Sequence, residues 1–229
     1  MEEILNYQFL SNTLLFRGAA PEEIEAMLTC LRAQVRTYAR GEVILHAGDT
    51  ATAMGLVLSG SVSIEQDDVW GNKSILDHVH PGQLFAETYA CLPGEVLMIS
   101  AVAAQPCEIL FLETSRVLHI CSNACGFHNK LVRNLLTISS QKNLTLSRRI
   151  FHTSSKSIRG RLLSYLSFQA ARAGSREFDI PFNRQQLADY LSVDRSALSN
   201  ELGKMQREGL LQVSRSHFTL IGIDTDSPL

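Results

Sequence analysis

The sequence predicts an α+β protein in three parts: an N-terminal β-roll, one long helix, and a small C-terminal domain of helices closed by a β-hairpin. Three observations predict it. Glycines recur at Gly41, Gly48, Gly60, Gly71, Gly82 and Gly94 between short β-branched runs, the texture of strands joined by tight turns. Residues 127–151 hold neither Gly nor Pro and carry a repeating apolar stripe. Residues 183–209 read as two amphipathic helices with a tight turn between them, and an alternating hairpin pattern follows.

The chain has 229 residues, enough for two modest domains with real cores. It is 45% hydrophobic and 19% charged, an ordinary globular composition. Runs of about 18 apolar residues, the length of a membrane span, do not occur. The start, Met-Glu-Glu-Ile-Leu-Asn, is acidic and lacks the basic region of a signal peptide. A cytoplasmic location is expected. Cys30, Cys91, Cys107, Cys121 and Cys125 are odd in number and scattered, which predicts reduced thiols rather than a disulfide framework. The net charge of −2 divides into −4 over residues 1–154 and +2 over 155–229. That asymmetry is mild, so any case for nucleic acid rests on local pattern.

In chain order, residues 3–17 form an apolar, helical lead-in, and Pro21–Leu28 a helix with Pro at N1 and acids in its first turn. Strands are expected at Val43–Leu45, Leu56–Leu58, Val62–Ile64 and Ser74–Leu76. Ala47-Gly48-Asp49 and Ser59-Gly60 supply turns. Ile99–Ala103 and Glu108–Leu112 complete the roll, and Thr114–Ile120 makes a short helix. In the long helix, Val132, Leu136, Ser139, Asn143, Leu146 and Ile150 follow 4-3-4-3-4 spacing. Such a narrow seam suits a second helix, and a polar Asn within it fixes register. Leu135 and Ile138 widen the stripe toward the roll. A homodimer through this helix is expected; the plainer alternative packs it only on its own domain. The predicted divisions are a β-roll at 1–126, a dimerisation helix at 127–152 and a C-terminal domain at 153–229.

Thr153–Ser157 reads as a polar hinge carrying the cap of the next helix, whose buried face is Ile158, Leu162, Leu163, Leu166 and Phe168. Ala173-Gly174-Ser175 ends that helix, and Phe178-Ile180-Phe182 alternates as a strand. Asn183 and Gln186 form a capping box for the next helix, which buries Leu187, Ala188 and Leu191. Asp194 caps its partner, whose apolar face is Leu198, Leu202 and Met205, and Gly209 stops it. Leu210–Val213 and Phe218–Ile221 pair around Ser214-Arg215-Ser216 as a wing. Small Ala188 permits close helix approach, so this is a helix-turn-helix.

A DNA-binding helix-turn-helix reads bases from the exposed N-terminal end of its second helix, where Arg195, Ser196, Ser199 and Asn200 stand. Arg195 suits guanine O6 and N7, and Asn200 suits adenine N6 and N7. Ser196 and Ser199 can donate to bases or phosphates. Arg184, Gln185, Lys204 and Arg215 suit the phosphate backbone, with Ser216 and His217 lesser candidates at the wing tip.

A Gly-punctuated roll, a seam helix and a winged helix-turn-helix, in that order, resemble the CRP/FNR family of bacterial transcription regulators. The resemblance runs from about Leu15 to Ile221. It is densest over Ile180–Leu211, where Leu187-Ala188, Val193-Asp194-Arg195-Ser196 and Leu198-Ser199 fit the family pattern. In the roll, Gly41, Ile44, Gly48, Gly60, Val62, Gly82, Phe85 and Glu87 fall at family spacing. The resemblance implies a cyclic-nucleotide-binding-like sensor and a homodimer on a near-palindromic double-stranded operator. An effector moves the seam helix, and RNA polymerase is the usual further partner.

Two departures qualify it. The Arg-Ser pair that neutralises a cyclic phosphate in cyclic-nucleotide-binding members falls at Leu97 and Met98, beside a disruptive Pro93-Gly94. Burying that anion unpaired would cost several kcal/mol, roughly. Cyclic AMP is therefore not expected. A more apolar effector would meet Leu84, Glu87, Leu97 and Met98, with Leu146 and Ser147 from the seam helix. In the reading helix, Asn200 stands where the family usually has Arg, and Ser192 where many such turns use Gly.

Other chemistry finds less footing. The family's N-terminal cysteine cluster for iron–sulfur sensing has no counterpart before Cys30. Cys121 and Cys125 could share a metal or form a redox couple, and His46, His78, His80, His119 and His128 could serve haem or a metal. A haem- or metal-dependent redox or gas sensor of the same fold is thus one alternative. Another is a ligand-binding protein whose C-terminal module binds protein. No phosphate loop or catalytic triad spacing appears, so an enzyme is not expected.

Overall fold

The structure is a computed structural model that describes residues 5–67, 70, 73–118 and 126–221. It divides into two compact units, one through Ser140 and one from Gln141.

The first unit opens with α1 (Tyr7–Ser11), capped by Asn6, and α2 (Pro21–Cys30). The expected lead-in helix is therefore only five residues long. Asn12 already occupies its C-cap, and turns lead from there to Gly18 at φ +80°. In α2 the Glu23 carboxylate accepts from the Ala20 N–H at 2.9 Å, an acid satisfying a free helix-start donor. That bond, followed by the Lys130 ammonium, holds the Glu23 carboxyl below its usual range.

The roll contains β1 (Gln34–Tyr38), β2 (Val43–Leu45), β3 (Ala53–Ser59), β4 (Val62–Asp67), β5 (Lys73–Val79) and β6 (Leu84–Phe85). After α3 (Glu87–Ala90) come β7 (Ser100–Ala103) and β8 (Cys107–Glu113), then α4 (Thr114–Leu118). The strands make two antiparallel four-stranded sheets, β1-β8-β3-β6 and β2-β7-β4-β5. β3 and β8 are covered on both faces. Val57, Cys107 and Ile109 join Val62, Phe85 and Ala101 inside the roll. Met54, Leu56, Leu110 and Leu112 pack outward against Leu10, Ile24, Leu131, Leu135 and Ile138. β1, Gln-Val-Arg-Thr-Tyr, was not among the expected strands. It is an edge strand with four exposed residues, so it shows no burial alternation. Gly60 is required twice over: it lies at φ +75°, and a Cβ there would fall 2.2 Å from the Pro106 carbonyl oxygen.

α5 (Gly126–Thr153) is shared between the units. In the first, Asn134 Nδ2 donates to the carbonyls of Leu15 and Arg17, both at 2.9 Å. Lys130 donates to the Gly18 carbonyl at 2.9 Å and pairs with Glu23 at 3.3 Å. With Leu131, Leu135 and Ile138 buried, these contacts fix the first half of α5 to its own unit.

The second unit continues through α6 (Ile158–Ala173), β9 (Glu177–Asp179), α7 (Arg184–Tyr190) and α8 (Arg195–Arg207), and closes with β10 (Leu211–Ser214) and β11 (His217–Leu220). Ser157 caps α6, and Gly174 ends it in the left-handed conformation. Its buried face is Leu162, Tyr165, Leu166 and Ala170, so Leu163 and Phe168 are only partly covered. The last three strands form an antiparallel sheet ordered β10-β11-β9. Leu187, Ala188, Leu191, Leu198, Leu202, Met205, Phe178 and Phe218 share one core with α6.

Candidate nucleic-acid interface and sensor residues

α7 starts on a reciprocal capping box. Asn183 Oδ1 accepts from the Gln186 N–H at 2.9 Å, and Gln186 Oε1 accepts from the Asn183 N–H at 2.8 Å. Ala188 is fully buried, and its carbonyl accepts from the Val193 N–H at 3.0 Å, closing the turn. Ser192 takes φ +53° there, a conformation that costs an L-residue about 1–2 kcal/mol. α8 starts on Asp194, which accepts from the Ala197 N–H at 2.9 Å and from the Ser196 hydroxyl. The Ser196 hydroxyl, then the Ala197 N–H, lower the Asp194 carboxyl below its usual range.

The expected reading residues, Arg195, Ser196, Ser199 and Asn200, are all exposed on α8. Among the described residues, Arg195 forms no ion pair, which leaves its guanidinium available to an outside acceptor. The two serines are differently placed. Ser196 donates to Asp194, and Ser199 donates to the Arg195 carbonyl at 2.9 Å. Both hydroxyl protons are therefore engaged within the helix, and only the oxygen lone pairs face outward.

Of the expected phosphate-facing residues, Arg184 and Arg215 line one cleft of about 420 Å³ with Asn183, Gln186 and Ser216. Arg184 Nη2 donates to the Arg215 carbonyl at 3.5 Å, and burial pushes the Arg184 guanidinium below its ordinary value. Arg215 is exposed at the wing turn, at φ +58°. Gln185 donates to Asp189 at 2.8 Å, and Lys204 lies 3.8 Å from Glu201. His217 at the wing is held by two acids, with Nε2 3.0 Å from Glu177 and Nδ1 3.2 Å from Asp179. Glu177 first, then Asp179, raise its pKa. When protonated, the imidazole is thus paired with acids of its own sheet.

Sequence reasoning missed the arginines that hold this unit together. Arg159 on α6 donates from Nε to Glu201 at 2.6 Å and from both terminal nitrogens to Glu208 at 2.8 and 2.9 Å. Arg161 donates to the Ser155 carbonyl at 2.8 Å and to the Leu191 and Ser192 carbonyls, both at 2.9 Å. Arg149 on α5 donates to the Asp189 and Tyr190 carbonyls at 3.2 and 3.3 Å. Backbone acceptors carry no residue signature, so no sequence pattern announces the last two.

In the roll, Leu84 and Leu97 are 3% and 1% exposed and belong to the packed core. Glu87 is buried at the start of α3, behind Ala86 at φ +60°. Met98 is 69% exposed. Beside α3, burial and then Glu87 raise the Cys91 thiol pKa. The other two residues expected at an effector, Leu146 and Ser147, are exposed on α5 in the second unit, where Ser147 donates to Asn143. Val132, Leu136, Ser139, Asn143, Leu146 and Ile150 are all exposed on α5. His46, His78 and His80 are exposed, and His128 is buried. Among the described residues, no three His, Cys, Asp or Glu side chains group as a metal would need. His119, Cys121 and Cys125 lie outside the described residues. No described helix is long and apolar enough to cross a membrane.

Residues 35–124 match the family model of the cyclic nucleotide-binding domain, and residues 160–224 that of the Crp-like helix-turn-helix domain. The Cyclic AMP receptor protein of Thermus thermophilus is 28% identical over 210 residues, spanning 87% of this chain and 88% of its own. Electron transport regulator A of Shewanella oneidensis is 25% identical over 193 residues, spanning 80% and 72%. In fold, the crystal structure of Thermus thermophilus Catabolite Activator Protein superposes with a TM-score of 0.50 over 91% of this chain and 94% of its own, at 24% identity. With both domain models matched in this order, around a reading helix capped and exposed as described, the chain belongs to the CRP/FNR family of transcription regulators.

Proposed function

We propose that this regulator works in the cytoplasm as a homodimer on a near-palindromic double-stranded operator, under an effector other than cyclic AMP, with RNA polymerase as a further partner. The observation that carries the reading is the reading face of α8, where Arg195 and Asn200 are exposed and Arg195 has no internal acid. Arg195 reads guanine and Asn200 reads adenine or stands off the base. Arg184, Arg215, Gln185 and Lys204 hold the backbone, and Ser196 and Ser199 accept rather than donate. The apolar seam on α5 supports the dimer, since Leu136, Leu146 and Ile150 are each more than 60% exposed in the single chain.

The sensor residues do not fit a cyclic nucleotide. Leu97 is a core side chain and Met98 carries no charge, so neither matched position can neutralise a buried phosphate. An apolar effector near Met98 is the reading these residues favour. Selection of bound duplexes from a random pool by the full-length protein tests the proposal. An enriched palindrome whose affinity falls steeply with salt supports it; a pool that stays random overturns it. Calorimetry with cyclic AMP is expected to show no micromolar binding.

A further inference from the structure

The polar stretch after α5 reads in sequence as a hinge, and contacts from the end of α5 to α6 and α7 run across it. α7 ends at Tyr190, where the backbone bonding thins out: the Asp189 carbonyl still accepts from the Ser192 N–H at 3.2 Å. Four consecutive carbonyls from this helix end into the turn, Asp189 to Ser192, accept from two arginines: Arg149 of α5 takes the first two, and Arg161 of α6 the second two. A cation at a helix C-terminus is also favoured by the helix dipole. One turn beyond Arg149, His152 is 1% exposed, and its Nδ1 lies 2.9 Å from the Tyr190 hydroxyl. The same ring packs against Tyr165 and Phe168 of α6, with centroids 5.5 and 5.2 Å away. Arg148 lies over Phe168 at 5.2 Å. One face of the end of α5 is therefore committed to α6 and α7, while Leu146 and Ile150 remain 62% and 69% exposed.

We propose that Arg149 and His152 are positioning residues for DNA reading: they lock α7, and with it α8, to the end of α5, so that α5 sets the distance between two reading helices. This rests on the dimeric reading above. A dimer that meets two half-sites about one helical turn apart must fix that distance, and a free joint after α5 could not.

The test uses full-length protein and three kinds of duplex: its selected palindrome, the same half-sites with one or two base pairs added or removed between them, and one half-site alone. Wild type is expected to lose about ten-fold or more in affinity when the spacing changes. Arg149→Ala and Tyr190→Phe are expected to cut that penalty to within about two-fold while keeping wild-type affinity for the lone half-site. Arg149→Lys, which keeps the charge and a donor, restores part of the penalty. Variants that retain the full spacing penalty overturn the proposal. So do variants that lose half-site affinity in parallel with melting temperature, because that marks a merely structural role. A wild type indifferent to a second half-site fails earlier: the dimeric reading falls, and this inference falls with it.

Discussion

Truncating the seam of α5 gives the sharpest test of the assembly. Leu136, Leu146 and Ile150 are 66%, 62% and 69% exposed, so a partner helix would find about two-thirds of each side chain still open. Full burial of such a side chain stabilises by about 1.5–3 kcal/mol. Two-thirds of that, less what an alanine would retain, leaves about 1 kcal/mol per side chain. Each substitution occurs twice in a homodimer, so Leu146→Ala is expected to weaken association by about 2 kcal/mol, or about 30-fold. The triple alanine variant is expected to lose about 6 kcal/mol, some four decades in dissociation constant. Val132, at 37% exposed, has less to contribute. None of the three side chains belongs to the core of its own unit, so the monomer fold should survive. Sedimentation over a concentration series measures the constant, and far-ultraviolet circular dichroism checks the fold. An unchanged constant in the triple variant, with the fold intact, refutes the seam.

Three further outcomes follow from local geometry. Arg195→Ala should cost about 1–3 kcal/mol of operator binding and relax selectivity at one position in each half-site; unchanged selectivity in a competition titration removes Arg195 as a base reader. Ser192→Gly should raise unfolding free energy by about 0.5–1 kcal/mol, because relief of positive φ exceeds the added chain entropy of glycine; a lower urea midpoint would contradict this. The His217 pKa is raised above its ordinary value of 6.5, so its contribution to stability is fully present below about 6.5 and is lost as pH rises through the folded value. Melting of wild type against His217→Gln should show a gap that narrows above that point, and a gap that widens would reverse the assignment.

Sequence and structure agree best where the determining contacts are local. The capping box of α7, the Asp194 cap of α8 and the left-handed Gly209 each depend on residues within four positions, and each is visible as a pattern of letters. Strands with two covered faces, such as β3, also declare themselves through dense apolar runs. β1 does not, because its pairing with β8 is made by backbone while its side chains face water. The same reason separates the two halves of the candidate site. Arg195 and Asn200 are legible from helix phase, but the engagement of Ser196 and Ser199 with their own helix depends on rotamers that no spacing specifies.

The turn at Ser192 shows how far a local rule reaches. Many such turns use glycine there, which would supply the left-handed conformation without strain. Serine holds the same φ of +53° because the turn is fixed from outside itself. Arg161 binds the carbonyls on both sides of the Leu191–Ser192 step while also binding Ser155, and Arg149 binds the two carbonyls before it. Gly160 permits this approach, since a Cβ there would fall 2.0 Å from the Ser155 hydroxyl oxygen. The residue that pattern reading expects at position 192 is therefore displaced by contacts from α5 and α6. Those contacts tie the turn's geometry to the helix that bears the apolar seam.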